Sequence, residues 1–222
     1  MSNDGASRLD CCRGTSHNSG RLWIDGNRML LTNIPCRRVS TERALQRRNK
    51  LLREIFADFS HAFSDLLFEL DEGSSTVNAQ AFIRGDHRVV RMYGGLAYHT
   101  RVGADGLVFA LLHEVGHHLS SGGRLASSEE LGCECAADRW ALTKGSAKLR
   151  KETGRTFRIE RAVSSLEMLT VPASRRPGTD RNGPRTCWAK NWTKRKHILA
   201  KPESAPAIPR CYLSEFFMSQ TN

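Results

Sequence analysis

Leu111-Leu112-His113-Glu114-Val115-Gly116-His117-His118 carries two histidines four residues apart, with a glutamate directly after the first. On a helix that spacing puts His113 and His117 on one face, one turn apart. Two neutral imidazoles so placed can grip one Zn²⁺. Glu114 then belongs beside the ion rather than on it, where a general base for an activated water is needed. H-E-x-x-H fixes only three positions, so the competing reading is an exposed helix face that happens to carry two histidines. The surrounding sequence favours the metal.

A catalytic zinc takes three protein ligands and keeps a further position for water. Glu134 is the natural third ligand beside His113 and His117, because it lies on the helix expected after a short Gly-containing loop. Asp138 follows one turn later on the same face, where its carboxylate can accept the outer N–H of a ligating histidine. Glu129 and Glu130 compete for the ligand role, but their place at a helix start is explained by capping and dipole complementation. His118 faces about 100° away from His117 and reads as a solvated or supporting histidine. His99 precedes the helix and is not assigned to the site. Cys133 and Cys135 flank Glu134, yet residues two apart on a helix diverge, so they read as small buried residues.

The elements that must position these groups follow from periodicity. Asp105 to Ser120 reads as the metal helix, capped by Asp105 and largely buried, since Leu107, Val108, Leu111, Leu112 and Val115 occupy several sides. Gly122-Gly123 stops it. Ser127 with Glu130 forms a capping box for a helix running to about Lys144, with Gly145 as its end. Arg158 to Leu169 predicts a further helix. Upstream, Ser40 to Leu70 reads as one long amphipathic helix with Ser40 as N-cap, its apolar stripe running from Leu45 to Leu70. Arg47, Arg48, Lys50, Arg53 and Asp58 fall on the opposite face. Ala79 to Ile83 and Arg88 to Met92 predict two short strands joined by a turn at Arg84 to His87. Leu22 to Ile24 and Met29 to Leu31, separated by Asp25-Gly26-Asn27, suggest a small hairpin.

The 222 residues suffice for one domain with a core. Hydrophobic residues are 39% and charged ones 26%, a composition ordinary for a soluble chain. No apolar run approaches the roughly 20 residues that span a bilayer, and the first twenty residues lack an apolar signal core. The expectation is a cytoplasmic protein whose seven cysteines are reduced thiols. The net charge of +11 admits attraction to nucleic acid or an anionic surface without requiring it. The expected organisation is α+β and mostly helical. It comprises an N-terminal arm at 1–39, a domain at 40–171 with a small antiparallel sheet or hairpin beside the metal helix, and a basic tail at 172–222.

Four segments carry a family resemblance: Asn78-Ala79-Gln80-Ala81-Phe82; Tyr93-Gly94-Gly95-Leu96; Leu107 through His117; and Glu134-Cys135-Ala136-Ala137-Asp138-Arg139-Trp140-Ala141. Together they resemble the gluzincin peptidases of the HtpX and CAAX prenyl protease family, over about Val77 to Leu142, roughly a third of the chain. The resemblance implies a zincin-like fold and one Zn²⁺ per chain. It also implies that Asn78, Ala79, Gln80, Ala81 and Phe82 lay substrate backbone along the cleft by strand addition. Many such relatives are membrane-embedded, and this chain has no spanning segment. Their His-Pro…Arg element is only loosely echoed by Lys201-Pro202 and Arg210.

The function expected is a soluble zinc metalloendopeptidase acting on a peptide or protein, with Glu114 as general base. Tyr93, Tyr98, His99 and His197 compete as the oxyanion donor. The chain also looks like the ImmA/IrrE group, proteases that cleave DNA-binding regulators, whose short inter-helix segment it matches better. A third reading is a basic nucleic-acid-binding protein with a structural or degenerate metal site. In it the tail, with Trp188 and Trp192 among its cations, makes weak contact with nucleic acid or an anionic surface.

Overall fold

The computed structural model describes residues 39–121, 124–125, 128–132 and 134–167. The suggested hairpin near Asp25-Gly26, the Gly122-Gly123 stop, His197 and the basic tail lie outside the described residues. The architecture is α+β. In chain order the elements are α1 (Glu42–Ala62), β1 (Leu67–Asp71), β2 (Ala79–Arg84), β3 (His87–Tyr93), α2 (Gly94–Ala97), α3 (Ala104–Leu119), β4 (Arg124–Leu125), β5 (Ser128–Gly132), α4 (Glu134–Trp140), a π-helical turn (Ala141–Gly145), α5 (Ser146–Thr153) and α6 (Ile159–Glu167).

α3 is the centre of the molecule. Every residue from Gly106 to His118 is buried, as a helix apolar on all sides demands. The helices α4 and α6, the strands β2, β3 and β5, and the π-helical turn all pack on it, while α1 packs against α5 and β1. Ile55 and Phe59 of α1, Val90 and Met92 of β3, and Leu107, Leu111 and Leu112 of α3 share one core. Phe59, Phe63, Phe68 and Trp140 form an aromatic cluster within it, with centroids 5.7–5.8 Å apart. Burying each large side chain contributes about 1.5–3 kcal/mol, so this core anchors the element that bears the histidines.

The sheet runs β1-β3-β2. β2 and β3 are the two strands expected around the Arg84–His87 turn and form an antiparallel hairpin, pairing Ala79 with Met92 and Ala81 with Val90. β1 adds to the other side of β3 in parallel, Leu67 opposite Val89, so the sheet is mixed rather than antiparallel. This corrects the long helix expected from Ser40 to Leu70. α1 ends at Ala62, a turn follows, and Leu66 N–H donates to Phe63 O. Leu66, Phe68 and Leu70 satisfy a period of two as well as a helical one. Pairing with β3 decides between them: Phe68 and Leu70 pack on the core while Glu69 turns outward to Arg84 and Arg91.

The helix expected from Ser127 to Lys144 is corrected as well. Ser128–Gly132 is a strand pairing with β4, and the helix begins only at Glu134. Leu131 is buried against Ala81 of β2, and that long-range contact outweighs the local capping box. Gly145 does not end the helix either. The π-helical turn carries the chain into α5, which stops at Gly154 in the left-handed region, φ 74°. A side chain at Gly145 would collide with the Trp140 ring, its Cβ 2.4 Å from Cζ3.

Smaller departures concern caps and charges. α1 is capped at Thr41 rather than Ser40, and α3 at Gly103, neither through a side chain. Asp105 instead accepts from the Arg158 backbone N–H, tying the entry of α6 to α3. Arg48 is not on a solvated face. It is half-buried, and its Nη2 donates to His99 O (3.1 Å) and Val102 O (2.9 Å), fastening α1 to the loop that leads into α3. Asp58 pairs with Arg155.

Candidate metal centre

The core sets the orientation of the two histidines. Since α3 is enclosed, residues one turn apart must find polar partners inside the protein. The His113 and His117 rings are wholly buried and lie nearly perpendicular, at 86°, with centroids 4.6 Å apart. Asp138 Oδ1, on α4, lies 2.8 Å from His113 Nδ1. Gly132 O, at the end of β5, lies 2.7 Å from His117 Nδ1. A carbonyl oxygen only accepts and an ionised carboxylate only accepts, so both Nδ1 atoms donate. In neutral imidazoles each Nε2 then carries its lone pair in the ring plane.

Those two Nε2 atoms face each other at 3.1 Å. Two lone pairs converging at that distance can be shared by one electrophile. A carboxylate oxygen of Glu114, itself fully buried, completes the group, whose three ligand atoms lie within 4.8 Å of one another. Imidazole nitrogens with fixed tautomers beside a buried carboxylate are donors suited to a divalent transition ion. The residues therefore fit a metal: the cluster could hold one ion.

The packing of α4 on α3 is what brings Asp138 in. Gly116, between the two histidines in sequence, lies so close to α4 that a Cβ there would sit 2.6 Å from Ala137 O and 2.8 Å from Ala137 Cα. Glu134 opens α4 one turn before Asp138, which places both on one face of that helix. The Glu134 side chain lies outside the described side chains, as do those of Glu129, Cys133 and Cys135. Glu130 on β5 is exposed.

His118 is not solvated. It is 6% exposed, and its Nε2–H donates to Val89 O at 2.9 Å, joining α3 to β3. Burial holds its pKa below the ordinary value, with the Val89 carbonyl opposing and Arg88 reinforcing the shift, so the ring stays neutral over a wider range. His99 is buried, with its Nδ1 accepting from the Arg101 backbone N–H, and is not part of the cluster. Of the tyrosines, Tyr93 donates its hydroxyl to Gln80 Oε1 at 2.6 Å, and Tyr98 is buried in the core.

β2 is an edge of the sheet among the described residues. Ala79 and Ala81 turn to the buried side, where β2 packs on α3. Gln80 and Phe82 turn to the other face, the latter beneath the Arg91 guanidinium at 4.9 Å. Asn78 precedes the strand, is 3% exposed, and its carbonyl accepts from the Tyr93 N–H.

Two functional residues, Gly116 and Gly132, lie outside the residue types that the H-E-x-x-H pattern fixes. Gly116 carries a signal, a residue without a side chain inside an otherwise bulky buried helix. Gly132 carries a weaker one, a glycine two residues before α4 opens at Glu134. Comparison with family models, with curated proteins and with solved structures returned no match.

Proposed function

We propose that the chain is a zinc metallopeptidase whose first ligands are His113, His117 and Glu134. The observation that carries this reading is the pair of Nε2 atoms 3.1 Å apart, each on a ring whose Nδ1 already donates to the protein. Two nitrogens each about 2.0–2.1 Å from a tetrahedral zinc would be roughly 3.3 Å apart, close to the separation found. When bound, zinc supplies Lewis acidity, lowering the pKa of a water and polarising a carbonyl.

The chain's own residues do the rest. Glu114 takes a proton as water adds to the scissile carbonyl and delivers it to the departing amine, which leaves an acid and an amine as products. Its burial strengthens that exchange, because a low dielectric sharpens every charge interaction near it. Asp138 holds the His113 ring in its donating tautomer. Asn78 to Phe82 would align substrate backbone along the outer edge of β2. Asn78 itself sits buried at the strand entry, while the alternation of Ala79 to Phe82 leaves small residues toward the metal helix.

The test is zinc content and peptide hydrolysis measured side by side on the wild-type chain and Glu114→Gln. The expected result is one zinc in both and hydrolysis in the wild type alone. Folded wild-type protein without zinc, or Glu114→Gln as active as wild type, would overturn the proposal.

A second reading, cleavage of a DNA-binding regulator by an ImmA/IrrE-like peptidase, is favoured by where the charge lies. Residues 39–167 hold 18 Lys and Arg against 17 Asp and Glu, so nearly all of the +11 belongs to the flanking segments. A plain nucleic-acid-binding protein shares that feature. It is separated by binding without hydrolysis, with an affinity that falls steeply as salt rises.

A further inference from the structure

We propose that Gly132 is a positioning residue of the metal centre: its carbonyl fixes the tautomer of His117, and its lack of a side chain is what lets β5 come close enough to do so. The inference rests on the metal reading above and extends it to a strand that the H-E-x-x-H pattern does not mention.

The two histidines are held by unlike partners. His113 leans on a carboxylate, whereas His117 leans on a backbone oxygen, which a side-chain substitution does not delete. The carbonyl is placed by β5, which packs on the metal helix and precedes α4 in the chain. β5 is pinned on one side by Leu131 against Ala81 of β2, and on the other by Gly132 pairing with Arg124 of β4. At Gly132 the strand meets the last turn of α3 with no room to spare. A Cβ there would lie 2.0 Å from Ser120 Oγ, with Gly116 O and His117 O next at 3.4 Å. Ser120 is 3% exposed, so its hydroxyl is itself enclosed. Any side chain at position 132 thus lifts the carbonyl from the His117 ring or displaces Ser120. The same geometry names its remedy. With Ser120 reduced to alanine, the nearest remaining atoms around a methyl at position 132 are at ordinary contact distance. Because β5 also seats on β2, one short strand fixes both a metal-binding imidazole and the strand proposed to align substrate.

The experiment uses the full chain in four forms: wild type, Gly132→Ala, Ser120→Ala and the double variant. Zinc affinity is measured by competition with a chelator, and melting temperature on the metal-free proteins. Gly132→Ala is expected to bind zinc roughly 10–100-fold more weakly. Ser120→Ala should match wild type, and the double variant should recover most of the affinity. Nitrogen-15 NMR of zinc-loaded wild type, which needs no variant to fold, should report His117 bound through Nε2 with Nδ1 protonated. A folded Gly132→Ala with wild-type affinity, a folded double variant that stays weak, or His117 bound through Nδ1 would each overturn the assignment of Gly132 while leaving zinc binding intact. A wild-type chain that binds no zinc would instead overturn the metal reading, and this inference with it.

Discussion

His113 and His117 each commit one ring nitrogen to the protein and turn the other to a shared point. The price of that arrangement is that Asp138 must be in place. Asp138→Ala should weaken zinc binding by roughly 10–100-fold while leaving one site per chain, read by chelator competition. Elsewhere a carboxylate has a purely structural role. The Arg91 hydrogen bond, aided by Arg84 and opposed by partial burial, holds the Glu69 pKa below its ordinary 4.5. The unfolded chain therefore takes up that proton at higher pH than the folded one. The contribution is whole above about pH 4.5 and drains away as pH falls toward the folded-state value. For so exposed a cluster it amounts to about 1 kcal/mol or less. Urea unfolding from pH 7 to pH 3 should show an acid limb that is shallower in Glu69→Gln than in wild type.

Between helices the decisive contact is the close approach of α4 to α3 at Gly116. Gly116→Ala should cost about 1–3 kcal/mol by overpacking against Ala137, and should weaken zinc binding too because Asp138 rides on the displaced helix. Thermal unfolding with and without chelator separates the two effects. A core truncation distant from α4, Ile55→Ala, should cost about 2–5 kcal/mol with zinc affinity unchanged. What sequence could reveal at this scale followed from how many structures a pattern permits. The buried helix from Ala104 to Leu119 and the β2–β3 hairpin were legible, since apolar residues on all sides of one, and an alternating run, a turn and a β-branched run in the other, leave few alternatives. Leu66 to Leu70 was not, because its residues fit a helix and a strand alike and a partner strand some twenty residues away decides. Ser127 to Glu130 was misleading, because Leu131 meeting Ala81 is invisible locally. Within the candidate site, the closeness of His113, Glu114 and His117 was written in their spacing. The Gly132 carbonyl was not, because backbone oxygens have no letter of their own.

Along the whole chain the charge separates into a nearly neutral stretch, residues 39–167, and strongly basic sequence on either side of it. Among the described residues no helix is long and apolar enough to cross a membrane. Bound metal should act as a ligand of the native state alone, adding about 2.7 kcal/mol when free zinc stands at 100 times its dissociation constant. Removing it with a chelator should lower the melting temperature by several degrees, reversibly on adding zinc back.

The most direct test is the zinc stoichiometry of the folded chain, measured by titrating zinc into metal-free wild type, His113→Ala and His117→Ala. One tightly held ion in the wild type, and at least a hundredfold weaker binding in either variant, is the result predicted. A folded wild-type chain that takes up no zinc, or variants that bind it as tightly as wild type, would contradict the account at its root.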